Sequence, residues 1–312
     1  MKKKLRIALI AGGKSGEREV SLAGATEVAK ALDQEKYEVT RYDPATDLAL
    51  VVADAGKIDM AFILLHGPLG EDGTMQGFLD LLGIPYQGAG VLGSALAMDK
   101  NLAKILYRSA GLAVAAWEMA VPEDQNNPAR LLATLPLPLV VKPIRQGSSL
   151  GMSIATTGAE LAEGLKRAFS FDSEVMVEQY VKGREITGGV IGNRELTALP
   201  IVEIIPGEGY AFFDYQAKYQ PGASREVCPA ELPEEVTEAA QRIAMEAHRI
   251  LQLRGYSRTD MIVAADGTIY VLETNTIPGM TPTSLLPQAA RAHGLPFPAL
   301  LDRLIELALA EK

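Results

Sequence analysis

Four residues near the C-terminal end of the chain, Arg258, Asp260, Glu273 and Asn275, have types and spacing that suit divalent-metal chemistry. They flank Asp266-Gly267 within RTDMIVAADGTIYVLETN, and an Asp-Gly pair between apolar runs is a strong signal for a tight hairpin. A type I′ turn centred on that pair places Asp260 opposite Glu273 and Arg258 opposite Asn275, with Ile262 facing Val271 and Met261 facing Leu272. The two-residue period of a strand then sends all four polar side chains to one face. Directly opposed carboxylates destabilise a strand pair unless a cation meets them. Mg²⁺ suits this role, because it takes oxygen ligands and shares its shell with water and substrate phosphates. Arg258 alone, as a countercharge, is the simpler alternative, and the four residues by themselves leave both open.

Three further segments carry candidate chemistry. Lys142 ends an apolar strand and is followed by Gly147-Ser148-Ser149-Leu150-Gly151, a loop that offers successive N–H groups and hydroxyls to phosphate oxygens. A plain hairpin turn has the same composition, and the Walker order G-x-x-x-x-G-K-[ST] is absent. Glu17 sits at the entry of a helix that follows Gly12-Gly13, where the helix dipole alone favours a carboxylate and a substrate ammonium is the second reading. His66 falls at the carboxyl end of the apolar run 58–65, the place where open α/β sheets put their ligand crevice, with a structural role equally available. His248 and His293 lie in or beside helical segments and read as structural.

The elements that must position these residues change character along the chain. Strands at 5–10, 37–42 and 58–65 alternate with helices, and a short strand is expected at 84–86, so residues 1–96 form a doubly wound parallel α/β domain. A helix from about Asp99 carries Lys100 and Lys104. Strands follow at 114–117, before and after the Gly-Ser-Ser loop, and at 174–180, with helices at 128–135 and 159–169. Lys182-Gly183-Arg184-Glu185 opens an antiparallel stretch that turns at Gly192-Asn193. The segment 206–219, PGEGYAFFDYQAKY, is aromatic and aperiodic, and Lys218 and Tyr219 at its end suit a lid. A scaffold helix at 234–251, the hairpin, a Pro/Gly loop and a helix from about Pro298 complete the chain.

Totals narrow the function classes. The 312 residues suffice for two or three compact units, with 48% hydrophobic residues to supply their cores. A net charge of −9 argues against nucleic acid or an anionic membrane as the main partner, so a phosphate ligand must be met by particular lysines, arginines and metal. The single cysteine, Cys228, forms no internal disulfide and no Cys/His cluster exists, which removes zinc and redox roles and fits a reduced, cytoplasmic setting. The N-terminal MKKKLRIALIAGG is too short in its apolar run, and ends too glycine-rich, for a signal peptide, and no stretch reaches membrane-spanning length.

Taken in order, AGGKSGEREVSL (11–22), LLHGPLGEDGTMQG (64–77), MDK (98–100), VVKPIRQGSSLGMS (140–153), VEQYVKGREIT (177–187), FFDYQAKY (212–219), GYSRTDM (255–261) and LETNTIPGMTPTSL (272–285) resemble the D-alanine–D-alanine ligases of the ATP-grasp superfamily. The resemblance spans nearly the whole chain. It implies that the doubly wound domain is followed by a two-subdomain ATP-grasp fold, a central subdomain at 97–182 and a C-terminal one at 183–312.

It also implies a site and a reaction. Lys100 and Lys142 would contact ATP phosphates, Glu178 and Val181 would frame the adenine, and Glu185 would bind the ribose. Asp260, Glu273 and Asn275 would hold two Mg²⁺ ions, or Mn²⁺ in their place. Glu17 would bind the ammonium of the first D-alanine and join Ser148 and Tyr219 in a hydrogen-bonded triad, with His66 beside that substrate. Arg258 and the Gly279 N–H would stabilise a tetrahedral oxyanion, Lys218 would meet the transferred phosphate, and Ser284 with Leu285 would receive the second carboxylate. Ile144, Gln146 and Thr274 depart from the family pattern, the last replacing a common alanine, whereas Tyr219 favours a dipeptide over a depsipeptide product. The expected activity is ATP-dependent formation of D-alanyl-D-alanine for peptidoglycan precursors, by a homodimer. D-lactate or D-serine as acceptor, or a nucleotide-binding regulator of the same fold, are the alternatives.

Overall fold

The computed structural model describes residues 3–207 and 224–310. Strand β1 (Leu5–Ile10), helix α1 (Arg18–Ala31), β2 (Tyr37–Tyr42), α2 (Leu48–Asp54) and β3 (Met60–Ile63) build a parallel sheet of order β2-β1-β3. All four residues of β3 are buried, which is why the strand reads as an unbroken apolar run. The strand expected at 84–86 is reduced to one parallel bridge between Ala61 and Tyr86. Helix α3 (Thr74–Leu81) is followed by α4 (Val91–Met98), which the sequence does not announce, because VLGSALAM is apolar nearly throughout and shows no helical period. Helix α5 (Lys100–Ser109) starts directly after it, its first turn capped by Asp99 on the Leu102 N–H at 2.9 Å.

Strands β4 (Trp117–Ala120), β5 (Leu139–Pro143), β6 (Ser153–Ala155) and β7 (Val175–Gln179) form an antiparallel sheet of order β4-β7-β5-β6, accompanied by α6 (Ala129–Thr134) and α7 (Gly158–Phe169). Strand β4 begins three residues later than its apolar run. Just before the run the Ala113 carbonyl takes the Val271 N–H at 2.9 Å, on the other antiparallel sheet, and the first bond to β7 comes only at the Ala116 carbonyl, which takes the Gln179 N–H at 2.8 Å.

A second antiparallel sheet has the order β11-β10-β8-β12-β13, with β9 on β8, from β8 (Gly183–Gly192), β9 (Leu196–Ala198), β10 (Val202–Pro206), β11 (Ser224–Val227), β12 (Gly255–Ala264) and β13 (Ile269–Asn275). Helix α8 (Glu234–Ile250) lays Ala240, Ala244 and Ala247 in the core that includes Ile186, Val190 and Met261. Helix α9 (Leu285–Ala292) is another element the sequence conceals. Pro287 lies in its first turn, where a missing N–H costs nothing because that donor has no partner inside the helix. Helix α10 (Phe297–Leu309) brings the chain back to its start, with Leu300, Leu301, Leu304 and Ile305 in one core with Ile7, Leu9 and Phe62.

The β12–β13 hairpin corrects the expected turn. Its open end has the anticipated register, Arg258 to Asn275 and Asp260 to Glu273, but nearer the turn Met261 pairs with Val271 and Ile262 with Tyr270. The turn spans three residues rather than two: the Ala264 N–H donates to the Thr268 carbonyl at 2.9 Å, and the Gly267 N–H to the Ala264 carbonyl at 3.0 Å. Gly267 alone takes the left-handed conformation there, at φ 86°, and Asp266 instead accepts the Thr268 N–H. The one-residue slip is recovered by a β-bulge at Leu272.

Candidate active site

The bulge borders a cleft between the two antiparallel sheets. In a regular strand, neighbours point to opposite faces, yet Leu272 and Glu273 both line this cleft. Ile262 and Asp260 line it from β12, Val140 and Lys142 from β5, Ile154 from β6, and Glu178 and Gln179 from β7, with Lys100, Ser149, Val181 and Glu185 at its margins. An apolar slot with a few charged groups at one end matches the shape and polarity of a nucleotide.

Lysines and a carboxylate organise that end. Glu178, 3% exposed, receives Lys142 on one oxygen and Lys104 on the other. Burial by itself would raise the Glu178 carboxyl, but the charges of Lys142 and Lys104 outweigh it and hold it down at about 2. One carboxylate thus serves two ammonium groups and leaves local positive charge facing the cleft. Lys104 had no role assigned from sequence. Its signal was the four-residue spacing from Lys100, which puts both on one face of α5. Lys100 Nζ lies 2.8 Å from the Gln146 carbonyl and 3.2 Å from Glu273 Oε2, so the helix start touches both the Gly-Ser-Ser loop and the hairpin.

At the hairpin, Arg258 forks onto Asp260, with Nε 2.9 Å from Oδ1 and an amino group 2.7 Å from Oδ2. Thr187 donates to Asp260 Oδ1 at 2.6 Å, and Asn275 Nδ2 lies 3.1 Å from Oδ2. The acid pair is therefore met by two cations, Arg258 on Asp260 and Lys100 on Glu273. No cluster of three or more His, Cys, Asp or Glu suited to a metal occurs among the described residues. Two opposed carboxylates and one amide are hard oxygen donors too few to enclose an ion, and they fit Mg²⁺ that completes its shell with water and phosphate.

The Gly-Ser-Ser loop reaches the first domain. Ser148 donates its hydroxyl to Glu17 Oε1, and Glu17 is buried although it caps nothing: its side chain makes no hydrogen bond to the α1 backbone. Helix-dipole complementarity is thus an incomplete account of Glu17. Gly147 lies close against Glu17: a Cβ there would stand 2.6 Å from Glu17 Oε2, so the carboxylate would have to shift. Ser148 and Ser149 both adopt left-handed backbone, φ 49° and 58°, which turns the loop more sharply than a plain hairpin and stores strain at the cleft.

Two acid–base groups, buried His66 and half-buried Glu71, lie beside Glu17. His66 is lowered from its ordinary range by burial, opposed by the charge of Glu17 and the Ile277 backbone. Glu71, not singled out from sequence, accepts the Gly67 N–H at 2.8 Å and the Ile277 N–H at 3.3 Å. Burial, reinforced by the charge of Glu17, pushes its carboxyl up to about 8. Gly279 lies close to Ser284, which caps α9, and Ser284 Oγ accepts the Thr281 N–H at 3.1 Å. Leu285 starts that helix with its side chain in the core shared with α10. Lys218 and Tyr219, with most of the expected lid, lie outside the described residues.

A parallel α/β domain followed by two antiparallel sheets that clasp a nucleotide-sized cleft, with lysines and an acid pair at one end, defines the ATP-grasp class. The chain belongs to the D-alanine–D-alanine ligase family: residues 6–52 and 45–89 match the model of the D-ala D-ala ligase N-terminus, and residues 106–306 that of the D-ala D-ala ligase C-terminus. It is 61% identical over 307 residues to a D-alanine–D-alanine ligase of Desulfotalea psychrophila, covering 98% of this chain and 95% of the relative. It is 56% identical to one of Syntrophobacter fumaroxidans, covering 99% of each. Among solved structures, the D-alanine–D-alanine ligase of Bacillus anthracis superposes with a TM-score of 0.87 at 40% identity, covering 98% of both chains. The crystal structure of that organism's D-alanine–D-alanine ligase complexed with ATP superposes at 0.84 and 36% identity, again over 98% of both chains.

Proposed function

We propose that the protein joins two D-alanine molecules into D-alanyl-D-alanine at the expense of ATP, through a D-alanyl phosphate. The observation that carries this reading is that Lys142–Glu178 and Lys100–Glu273 line one cleft, while the loop at its margin reaches Glu17 of the first domain through Ser148. A carboxylate acylates poorly, so it is first activated by phosphoryl transfer, and the second amine then displaces phosphate from the acyl carbon.

Each residue has a physical reason for its place. Lys142 and Lys100 face the phosphates, Val181 and Glu178 border the base, and Glu185 takes the ribose. Glu17, held by Ser148, receives the ammonium of the first D-alanine beside His66. Arg258 and the Gly279 N–H meet the oxyanion, and Ser284 with the Leu285 N–H, at a positive helix end, receives the second carboxylate. Tyr219 would complete the Glu17–Ser148 pair and Lys218 would meet the transferred phosphate. Asp260, Glu273 and Asn275 would hold the two Mg²⁺ ions, which when bound neutralise charge on the phosphates. Residues 1–96, 97–182 and 183–312 act as the three units, and the protein works as a cytoplasmic homodimer; among the described residues no helix is long and apolar enough to cross a membrane.

Incubation with ATP, Mg²⁺ and D-alanine should release phosphate and dipeptide in equal amounts. Absence of dipeptide at high D-alanine and neutral pH refutes the proposal, and preferential use of D-lactate or D-serine reassigns the acceptor.

A further inference from the structure

Behind the hairpin, on the face away from the cleft, lies a chain of three buried hydroxyls. Tyr107 of α5 donates to Thr274 Oγ1 at 2.8 Å, and Thr274 Oγ1 lies 3.0 Å from Thr259 Oγ1. Tyr107 and Thr259 are fully buried and Thr274 is 4% exposed. The surroundings are apolar: Tyr107 belongs to the core that contains Ala103, Ile186, Met261 and Val271. Burying hydroxyls among such groups is costly unless each finds a partner, and valine or phenylalanine would fill the same volume. The hydroxyls therefore supply direction, which apolar packing lacks.

Their placement says what is being directed. Thr259 lies between Arg258 and Asp260, and Thr274 lies between Glu273 and Asn275, the two threonines being paired across the strands. Because successive side chains alternate faces, anchoring these two from below sets the backbone that carries the four polar residues above. The third hydroxyl belongs to the helix that begins with Lys100, one turn after another along the same face: Lys100, Lys104, Tyr107. Tyr107 stands about 10 Å along the helix from Lys100, at 1.5 Å per residue.

We propose that Tyr107, Thr274 and Thr259 are positioning residues that tie helix α5 to the hairpin, setting the spacing at which Lys100 and Glu273 meet and hence the affinity for magnesium–nucleotide. The reaction served is the one proposed above, and the inference rests on that reading for its catalytic consequence only.

The test compares Thr274→Val, Thr274→Ser and Tyr107→Phe in the full chain, by calorimetric titration of ADP at stepped Mg²⁺ concentrations and by KM for ATP and for D-alanine. Thr274→Val should raise the Mg²⁺ needed for half-maximal ADP binding about tenfold, the scale on which outer groups tune a metal site. It should raise KM for ATP while leaving KM for D-alanine within about twofold. Thr274→Ser should restore wild-type binding, and Tyr107→Phe should shift it in the same direction as Thr274→Val. Unchanged Mg²⁺ dependence in Thr274→Val and Tyr107→Phe, whatever their melting temperatures, overturns the proposal, as does a Thr274→Ser protein as impaired as Thr274→Val. Should the wild type form no dipeptide, the ligase reading fails while the ADP titrations still decide this one.

Discussion

Lys100 Nζ and Glu273 Oε2 stand 3.2 Å apart, joining the first residue of helix α5 to the end of the β12–β13 hairpin. The same ammonium lies 2.8 Å from the Gln146 carbonyl, so a single cation holds the phosphate-side loop against the acid pair. Replacing Lys100 with methionine removes charge but keeps most of the stem. The expected result is a fall in kcat/KM for ATP on the order of 10- to 100-fold, the scale of one charged hydrogen bond. Steady-state kinetics with ATP varied checks this, and a change smaller than threefold would remove Lys100 from the phosphate site.

Lys104 and Glu178 form a second such joint, deeper in the fold. Both are almost entirely shielded from water, and Glu178 is held ionised at about 2 by Lys142 and Lys104 against the effect of burial. Lys104→Met leaves Glu178 with one cation. Breaking a buried pair from one side costs about 3–5 kcal/mol. Urea unfolding should show that loss at pH 7, and should show it shrinking as pH falls from about 4.5 toward 2, where the wild-type carboxylate itself takes up a proton.

Glu71 titrates in the opposite sense. Its unfolded carboxyl has an ordinary value of 4.5 and its folded one about 8, so over that interval the native state holds one proton more than the unfolded chain. The contribution to stability is fully present below 4.5 and is lost as pH rises to about 8, at no more than about 1.4 kcal/mol per pH unit. Glu71→Gln keeps an acceptor oxygen for one of the two N–H groups, from Gly67 or Ile277, and cannot ionise. Its stability should vary less between pH 5 and pH 8 than that of the wild type; chemical denaturation at three pH values decides, and parallel curves would show that Glu71 is already ionised in the fold.

Gly147→Ala tests the contact between the Gly-Ser-Ser loop and the first domain. The added methyl would lie 2.6 Å from Glu17 Oε2, so Glu17 must move and its bond from Ser148 is lost. Turnover should drop on the order of 100-fold through KM for the first D-alanine and kcat, the cost of displacing a positioning group by about 1 Å, with nucleotide binding little altered. Equal losses in ADP affinity would mean that the loop serves the nucleotide instead.

The sequence carried most of the architecture because its signals are local. The largely apolar runs at 5–10 and 58–65 marked β1 and β3, and Gly12-Gly13 and Gly67 marked the turns after them. Asp-Gly located the hairpin and put Asp260 opposite Glu273 correctly. Local signals also set its limits. The loop proved one residue longer than a two-residue turn, since the Asp266 side chain is better used on the Thr268 N–H than Asp266 is held at positive φ. The bulge that compensates has no composition of its own. Helix α4 had no polar face to reveal its period, and Pro287 disguised α9.

Residue types and order along the chain therefore determined the class of fold, the acid pair, the glycine–serine loop and the family. Tertiary structure alone decided which polar groups meet: Ser148 with Glu17, Lys104 and Lys142 with Glu178, Lys100 with Glu273, and Glu71 beside Glu17 as a carboxyl of raised affinity for protons. The physical reason is that a charge's partner and its desolvation depend on distances closed between segments as far apart in sequence as Lys100 and Glu273, and neither quantity is a property of any local stretch.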